Sequence, residues 1–145
     1  MPTVPAMNTS TTSSMKRAPV NPWSWSLNLG YNQGEVLEGA TRQLICAGQT
    51  AVDADGTPQH LDDIRGQISL ALDNLEAVLR AADMDLTNIT RLNVYTTDVD
   101  DAMANFDVFG SRLGPVGAAP PMTLLGVTRL AIPGLMLEIE ATAAD

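Results

Sequence analysis

Residues 120–143, PPMTLLGVTRLAIPGLMLEIEATA, decide the fold. Near the end of this stretch Leu135, Leu137, Ile139 and Ala141 alternate with Met136, Glu138, Glu140 and Thr142. That is the period-two pattern of a strand with one buried face. Ile132, Pro133 and Gly134 break the chain before it, because proline has no amide to donate and glycine turns freely. Residues 122–129 therefore form a separate strand. Two carboxylates, Glu138 and Glu140, share one face of the last strand, and on residues alone they read either as a solvated face or as part of a site.

Upstream, residues 62–82 place Ile64, Ile68, Leu72, Leu75, Val78, Leu79 and Ala82 at three- and four-residue spacing, the stripe of an amphipathic helix. Asp62 is its expected N-cap, and Asp63 suits the positive end of the dipole. Residues 88–97 alternate again, with Thr90, Leu92, Val94 and Thr96 against Ile89, Arg91, Asn93, Tyr95 and Thr97, giving a strand with one mixed polar face. Residues 98–112 return to helical spacing through Ala102, Phe106, Val108 and Phe109, capped by Asp98 or Asp100 and stopped by Gly114 and Pro115.

Residues 35–47 read as two strands joined near Gly39. Leu44, Ile45 and Cys46 in the second are apolar on both sides, the signature of a central strand. Trp23 and Trp25, two apart, fall on one side of an extended segment and read as an edge strand packed on the body. Residues 31–34 form a turn, and so do residues 53–56, which lack the spacing and terminal glutamate of a calcium loop. Strands, helix, strand, helix, strands make an α+β domain: a mixed sheet covered on one face by two helices. Residues 1–20, rich in Thr, Ser and Pro, read as a disordered leader without the charged start and apolar core of a secretory signal. Residues 21–145 are a single domain.

Acidic residues outnumber basic ones 17 to 8 in the 145-residue chain, for a net charge of −9. Such a field repels phosphate backbones and anionic lipid, so neither nucleic acid nor a membrane is an expected partner, and no apolar run is long enough to span a bilayer. Cys46 is the single cysteine. It excludes an internal disulfide, fits a reducing, cytoplasmic compartment and reads as a small core residue. One His and one Cys supply no recognisable metal-ligand spacing, so a metal is not expected.

Taken with residues 46–49 (CAGQ), 72–75 (LDNL) and 92–98 (LNVYTTD), the tail resembles the reactive-intermediate deaminase family, Rid or YjgF. The resemblance runs over roughly residues 31–143. It implies the chorismate-mutase-like fold of that family and a homotrimer with sites between adjacent subunits. It also implies cofactor-free hydrolysis of reactive enamines or imines to ammonia and a carbonyl compound. By residue match, Glu138 corresponds to the glutamate that positions the attacking water, and Tyr31 to a tyrosine that lines the pocket from the neighbouring chain. Gly48 matches a glycine that closes against the ligand, and Leu124 a position whose backbone contacts it, where the family often has cysteine. The family also brings ribonuclease activity for some relatives, but no basic aromatic cluster here supports it.

One position departs from the pattern. The arginine that grips the substrate carboxylate is matched by Met122, and a thioether offers no donor where a guanidinium offers a fork. Losing such a bond weakens binding by about 2 to 5 kcal/mol. Efficient turnover of 2-aminoacrylate-type acids by the usual geometry, the 2-iminobutanoate and 2-iminopropanoate deaminase reaction, is therefore not expected unless Arg42, Arg91 or Arg129 substitutes in space. Three readings follow: a Rid-like hydrolase with an apolar pocket shaped by Met122 and Leu124, a non-catalytic trimer binding a small metabolite in its inter-subunit cleft, and a trimer acting only through protein contacts.

Overall fold

The computed structural model describes residues 15–145. Strands β1 (Lys16–Val20) and β2 (Gly34–Glu38) form an antiparallel ribbon. Strands β3 (Gln43–Ile45), β4 (Ile89–Thr96), β5 (Met122–Gly126) and β6 (Leu137–Ala144) form a four-stranded sheet in the order β3-β6-β4-β5. Only β4 and β5 run parallel, so the sheet is mixed, as the alternating helices and strands require. Helices α1 (Ile64–Ala81), α2 (Val99–Ala104) and α3 (Asp107–Leu113) lie against one face.

The core is where the two periodicities meet. Ile68, Leu72, Leu75 and Leu79 of α1 pack with Leu92 and Val94 of β4 and with Leu137 and Ile139 of β6, all fully buried. Helix α1 begins at Asp63, whose carboxylate accepts the Gly66 amide at 3.0 Å. The cap is therefore one residue later than expected, because Asp62 sits at φ 60°, outside the helix. The second helical segment is two short helices rather than one. Asp98 caps α2, and the chain turns at Asn105 and Phe106 before α3. The turn lets Val108, Phe109 and Leu113 face the core as Ala102 does.

Three further expectations change. Residues 16–20, expected in the leader, form strand β1, paired from Lys16↔Glu38 to Val20↔Gly34. Arg17 fastens this ribbon to the body, since its guanidinium pairs with Glu35 and donates to the Ile89 carbonyl at 2.7 Å. Residues 1–14 lie outside the described residues. The tryptophan segment is not extended. Trp25–Leu29 is a 3₁₀ turn closed by Gly30 at φ 87°, a left-handed conformation that glycine adopts without strain, and both indoles are exposed. Strand β3 lies at the sheet edge, bonded only to β6, with Leu44 towards the core and Ile45 75 % exposed. Its two-sided apolar pattern marks an uncovered apolar patch, not a central position.

Candidate active site

Strand β6 carries Glu138 and Glu140 on the sheet face turned away from the helices, and β4 gives them different surroundings. Asn93 lies opposite Glu140, and Tyr95 lies opposite Glu138. The Tyr95 hydroxyl and Asn93 Nδ2 both donate to Glu140 Oε1, the amide at 3.2 Å. Hydrogen bonds to a carboxylate favour its charged form. The bond from Tyr95 first, and that from Asn93 second, hold the Glu140 carboxyl below its ordinary range. The same bond raises the Tyr95 phenol, which would lose a favourable donor role on ionising. Glu140 is thus occupied. Among the described residues Glu138 has no hydrogen-bond or ion-pair partner of this kind.

Gly48 leaves room for that carboxylate. The Cys46 amide donates to the Ala141 carbonyl at 3.0 Å, and Gln49 exchanges bonds with Ile139 at 2.6 and 3.0 Å. Between these points Ala47 and Gly48 stand against one residue of β6, Glu140, which is a bulge of the kind that re-aims a side chain. A Cβ built on Gly48 would fall 2.7 Å from Glu138 Cδ and 3.1 Å from its Cγ. Only glycine lets the two strands meet with Glu138 in this position.

Met122 and Leu124 stand on the other face. In the parallel β4–β5 register Met122 is beside Leu92 and Leu124 beside Val94, both fully buried, so these side chains turn towards the helices. With Leu29, Tyr31, Met103 and Phe106 they line a cavity of about 290 Å³. Tyr31 is held there through its neighbour: the Asn32 backbone amide and Nδ2 each donate to the Ala119 carbonyl at 3.0 Å, just upstream of β5. The Trp25 and Tyr31 rings meet edge to face at a centroid distance of 6.2 Å. The five sequence-derived site residues therefore fall into two groups within one chain: Gly48 with Glu138 on the open sheet face, and Tyr31 with Met122 and Leu124 on the helix side.

No arginine lines the cavity beside Met122. Arg42 is engaged with Asp145, Nε to Oδ1 at 2.9 Å. Arg91 donates to Thr123 Oγ1 at 2.9 Å on the open face. Arg129 is exposed in the loop after β5, which ends at Gly126, so strand periodicity does not extend to it. Cys46 is buried and its thiol is pushed up by burial, consistent with a core role. Among the described residues no cluster of three or more His, Cys, Asp or Glu side chains is arranged to hold a metal, and no helix is long and apolar enough to cross a membrane.

Gln67 escaped the sequence reading. It is fully buried. Its Nε2 donates to the His60 and Gly134 carbonyls at 3.1 and 3.0 Å, and its Oε1 accepts the Met136 amide at 2.7 Å. Thr96 Oγ1 donates to the Met136 carbonyl at 2.9 Å. Met136 is thus held by both of its peptide groups, two residues before Glu138. The available signal was a glutamine on the apolar stripe of α1, three residues after Ile64 and four before Ala71.

The profile described as Endoribonuclease L-PSP matches residues 27–145. The mitochondrial protein mmf2 of Schizosaccharomyces pombe is 32% identical over 132 residues, covering 90% of this chain and 100% of that protein. YyfB of Yersinia pestis, a Rid-family protein of solved structure, superposes with a TM-score of 0.77 at 32% identity, covering 89% of this chain and 98% of its own. TdcF of Escherichia coli, solved with bound serine, superposes at 0.65 with 29% identity, covering 79% of this chain and 87% of its own. The chain belongs to the Endoribonuclease L-PSP family, the YjgF/Rid family of these structural relatives.

Proposed function

We propose that the chain is a Rid-like hydrolase of reactive imines and enamines, with specificity moved away from 2-aminoacrylate-type acids. The observation that carries this reading is the Glu138 carboxylate beside Gly48, without a hydrogen-bond partner among the described residues, next to a Glu140 that Tyr95 and Asn93 already occupy. In the reaction, an enamine first tautomerises to its imine. Glu138 accepts a hydrogen bond from a water molecule, aims it at the imine carbon and takes its proton as the C–O bond forms. That proton passes to nitrogen to give a carbinolamine; Glu138 then takes the hydroxyl proton and returns it to nitrogen as the C=O bond forms and the C–N bond breaks, and ammonia and a carbonyl compound leave. Imine plus water balances ketone or aldehyde plus ammonia, so no cofactor enters the scheme.

The sheet separates Glu138 and Gly48 from Tyr31, Met122 and Leu124, so one site drawing on both groups needs a second copy of the chain. The homotrimer implied by the family supplies it. The open sheet face, with Ile45 75 % and Leu125 52 % exposed, is the surface we assign to that assembly, since apolar patches on an otherwise charged surface mark contacts. The partners in this reading are further copies of the chain and a small molecule between them, in a reducing cytoplasmic setting. Nucleic acid is not among them, because a net charge of −9 opposes it.

The replacement of a carboxylate-gripping arginine by Met122 is what a second reading rests on: a trimer that binds a small metabolite in the same cleft without hydrolysing it. Ammonia release from freshly generated imines, carboxylated and neutral, separates the two. Turnover of any of them by the wild type supports the hydrolase, and saturable binding with no ammonia from the whole panel supports the binding trimer.

A further inference from the structure

We infer that the cavity beside Met122 is a specificity pocket for the apolar group of a neutral imine, one with no carboxylate, and that Met103 and Phe106 select it. The inference rests on the hydrolase reading for the word imine, but its geometry stands on the pocket alone.

The six lining residues are Leu29, Tyr31, Met103, Phe106, Met122 and Leu124. None is charged, and the Tyr31 hydroxyl is the only oxygen or nitrogen in their side chains. Burying a carboxylate against such a wall leaves an ion without a partner, which is strongly unfavourable. The overall charge of −9 adds to the repulsion. A neutral ligand meets neither penalty. Tyr31 offers one hydrogen bond, to an imine nitrogen or a carbonyl oxygen.

The cavity of about 290 Å³ adjoins a second of about 230 Å³, because Leu29, Phe106 and Met122 line both. The second runs beneath α3 past Phe109 and Leu113 and is also uncharged. At about 30 Å³ per water-sized group, the first alone has room for roughly ten non-hydrogen atoms, the size of a branched aliphatic or a phenyl-bearing amine. The Phe106 and Phe109 rings lie 5.1 Å apart, centroid to centroid, and present an aromatic wall that suits a phenyl group. Met103, half exposed on α2, forms part of the cavity wall next to solvent, and a thioether side chain adapts readily to an irregular ligand. The two-electron oxidation of hydrophobic primary monoamines is the class of reaction that would supply such an imine.

The test compares two ketones that share an apolar skeleton, phenylacetone and phenylpyruvate, the second carrying a carboxylate. Binding is measured by calorimetry and by fluorescence of the tryptophans, since Trp25 touches Tyr31. The full-length wild type should bind phenylacetone at least roughly 30-fold more tightly than phenylpyruvate. Met103→Glu, at a half-exposed position where folding is safe, should weaken phenylacetone by roughly tenfold or more, and Met122→Arg should reverse the order of the two ketones. Equal or tighter binding of phenylpyruvate by the wild type, or phenylacetone binding unchanged in Met103→Glu, overturns the inference. If phenylacetone binds as described but neither its imine nor any other imine of the panel is hydrolysed faster than in buffer, the pocket assignment stands and the hydrolase reading falls. If carboxylated imines are hydrolysed in a Glu138-dependent way while phenylacetone fails to bind, the hydrolase reading stands and the pocket assignment falls.

Discussion

Gly48 has no Cβ, and the space a Cβ would take is filled by the carboxyl group of Glu138, whose Cδ would lie 2.7 Å from it. Glu138 has no way to keep its position if that space is taken, because the contact is made by the functional end of its side chain.

Gly48→Ala should therefore lower imine hydrolysis by roughly 10- to 100-fold, the range that a misplacement of about 1 Å produces at a catalytic group. Its thermal stability should change little, since Gly48 is exposed and the clash is relieved by rotating Glu138 outward. Steady-state kinetics on the folded variant reads this directly, and an unaltered kcat/KM would show that the carboxylate's position does not matter.

The two glutamates of β6 should separate cleanly. Removing a general base lowers rates by roughly 10² to 10⁴, so Glu138→Gln should abolish most turnover and leave the melting temperature near that of the wild type. Glu140→Gln should keep much of the activity, because its bonds to Tyr95 and Asn93 are structural. Side-by-side assays of both variants decide the assignment.

Gln67→Leu should destabilise by about 2 to 4 kcal/mol, because the Met136 amide and the His60 and Gly134 carbonyls all lose their partner. For a domain of this size that is a fall in Tm of roughly 8 to 16 °C. Differential scanning calorimetry measures it. Activity at low temperature should also fall, because Met136 sets the start of the strand that carries Glu138.

Acid should weaken the fold in a defined window. Glu140 is held low by Tyr95 and Asn93, Asp107 by Arg65 and Asp145 by Arg42. The unfolded chain takes up protons on these groups near pH 4, before the folded one does. The stability they contribute is fully present above that pH and disappears as pH falls through their lowered values. Melting temperatures should be flat from pH 7 to about 5 and decline below about 4, modestly, as befits exposed pairs.

The open sheet face should carry the assembly. Ile45→Lys places a charge on the exposed apolar edge of that face and should shift a trimer to smaller species in light scattering, with turnover falling in step. A variant that stays trimeric and active would move the interface elsewhere.

The periodicities that build this domain are local, and they were legible in the chain. The alternation around Glu138 and Glu140, the stripe from Ile64 to Leu79 and the strand through Leu92 and Val94 each bury one face whatever their partners are. The family followed from the same segments in order. Tertiary structure decided which carboxylate lacks a hydrogen-bond partner among the described residues. Glu138 and Glu140 share a strand face that periodicity cannot divide; the family resemblance points to Glu138, and the β4 register supplies the physical distinction by placing Asn93 and Tyr95 where both reach Glu140. It also decided that β3 is an edge strand, that Lys16–Val20 belongs to the domain, and that Gln67 anchors the last strand from another element. The grouping of Met122 and Leu124 with Tyr31, Met103 and Phe106 came from the fold as well. These residues span more than 90 positions of the chain, and a parallel strand pairing with a turn between two short helices brings them together, neither of which leaves a local trace in sequence.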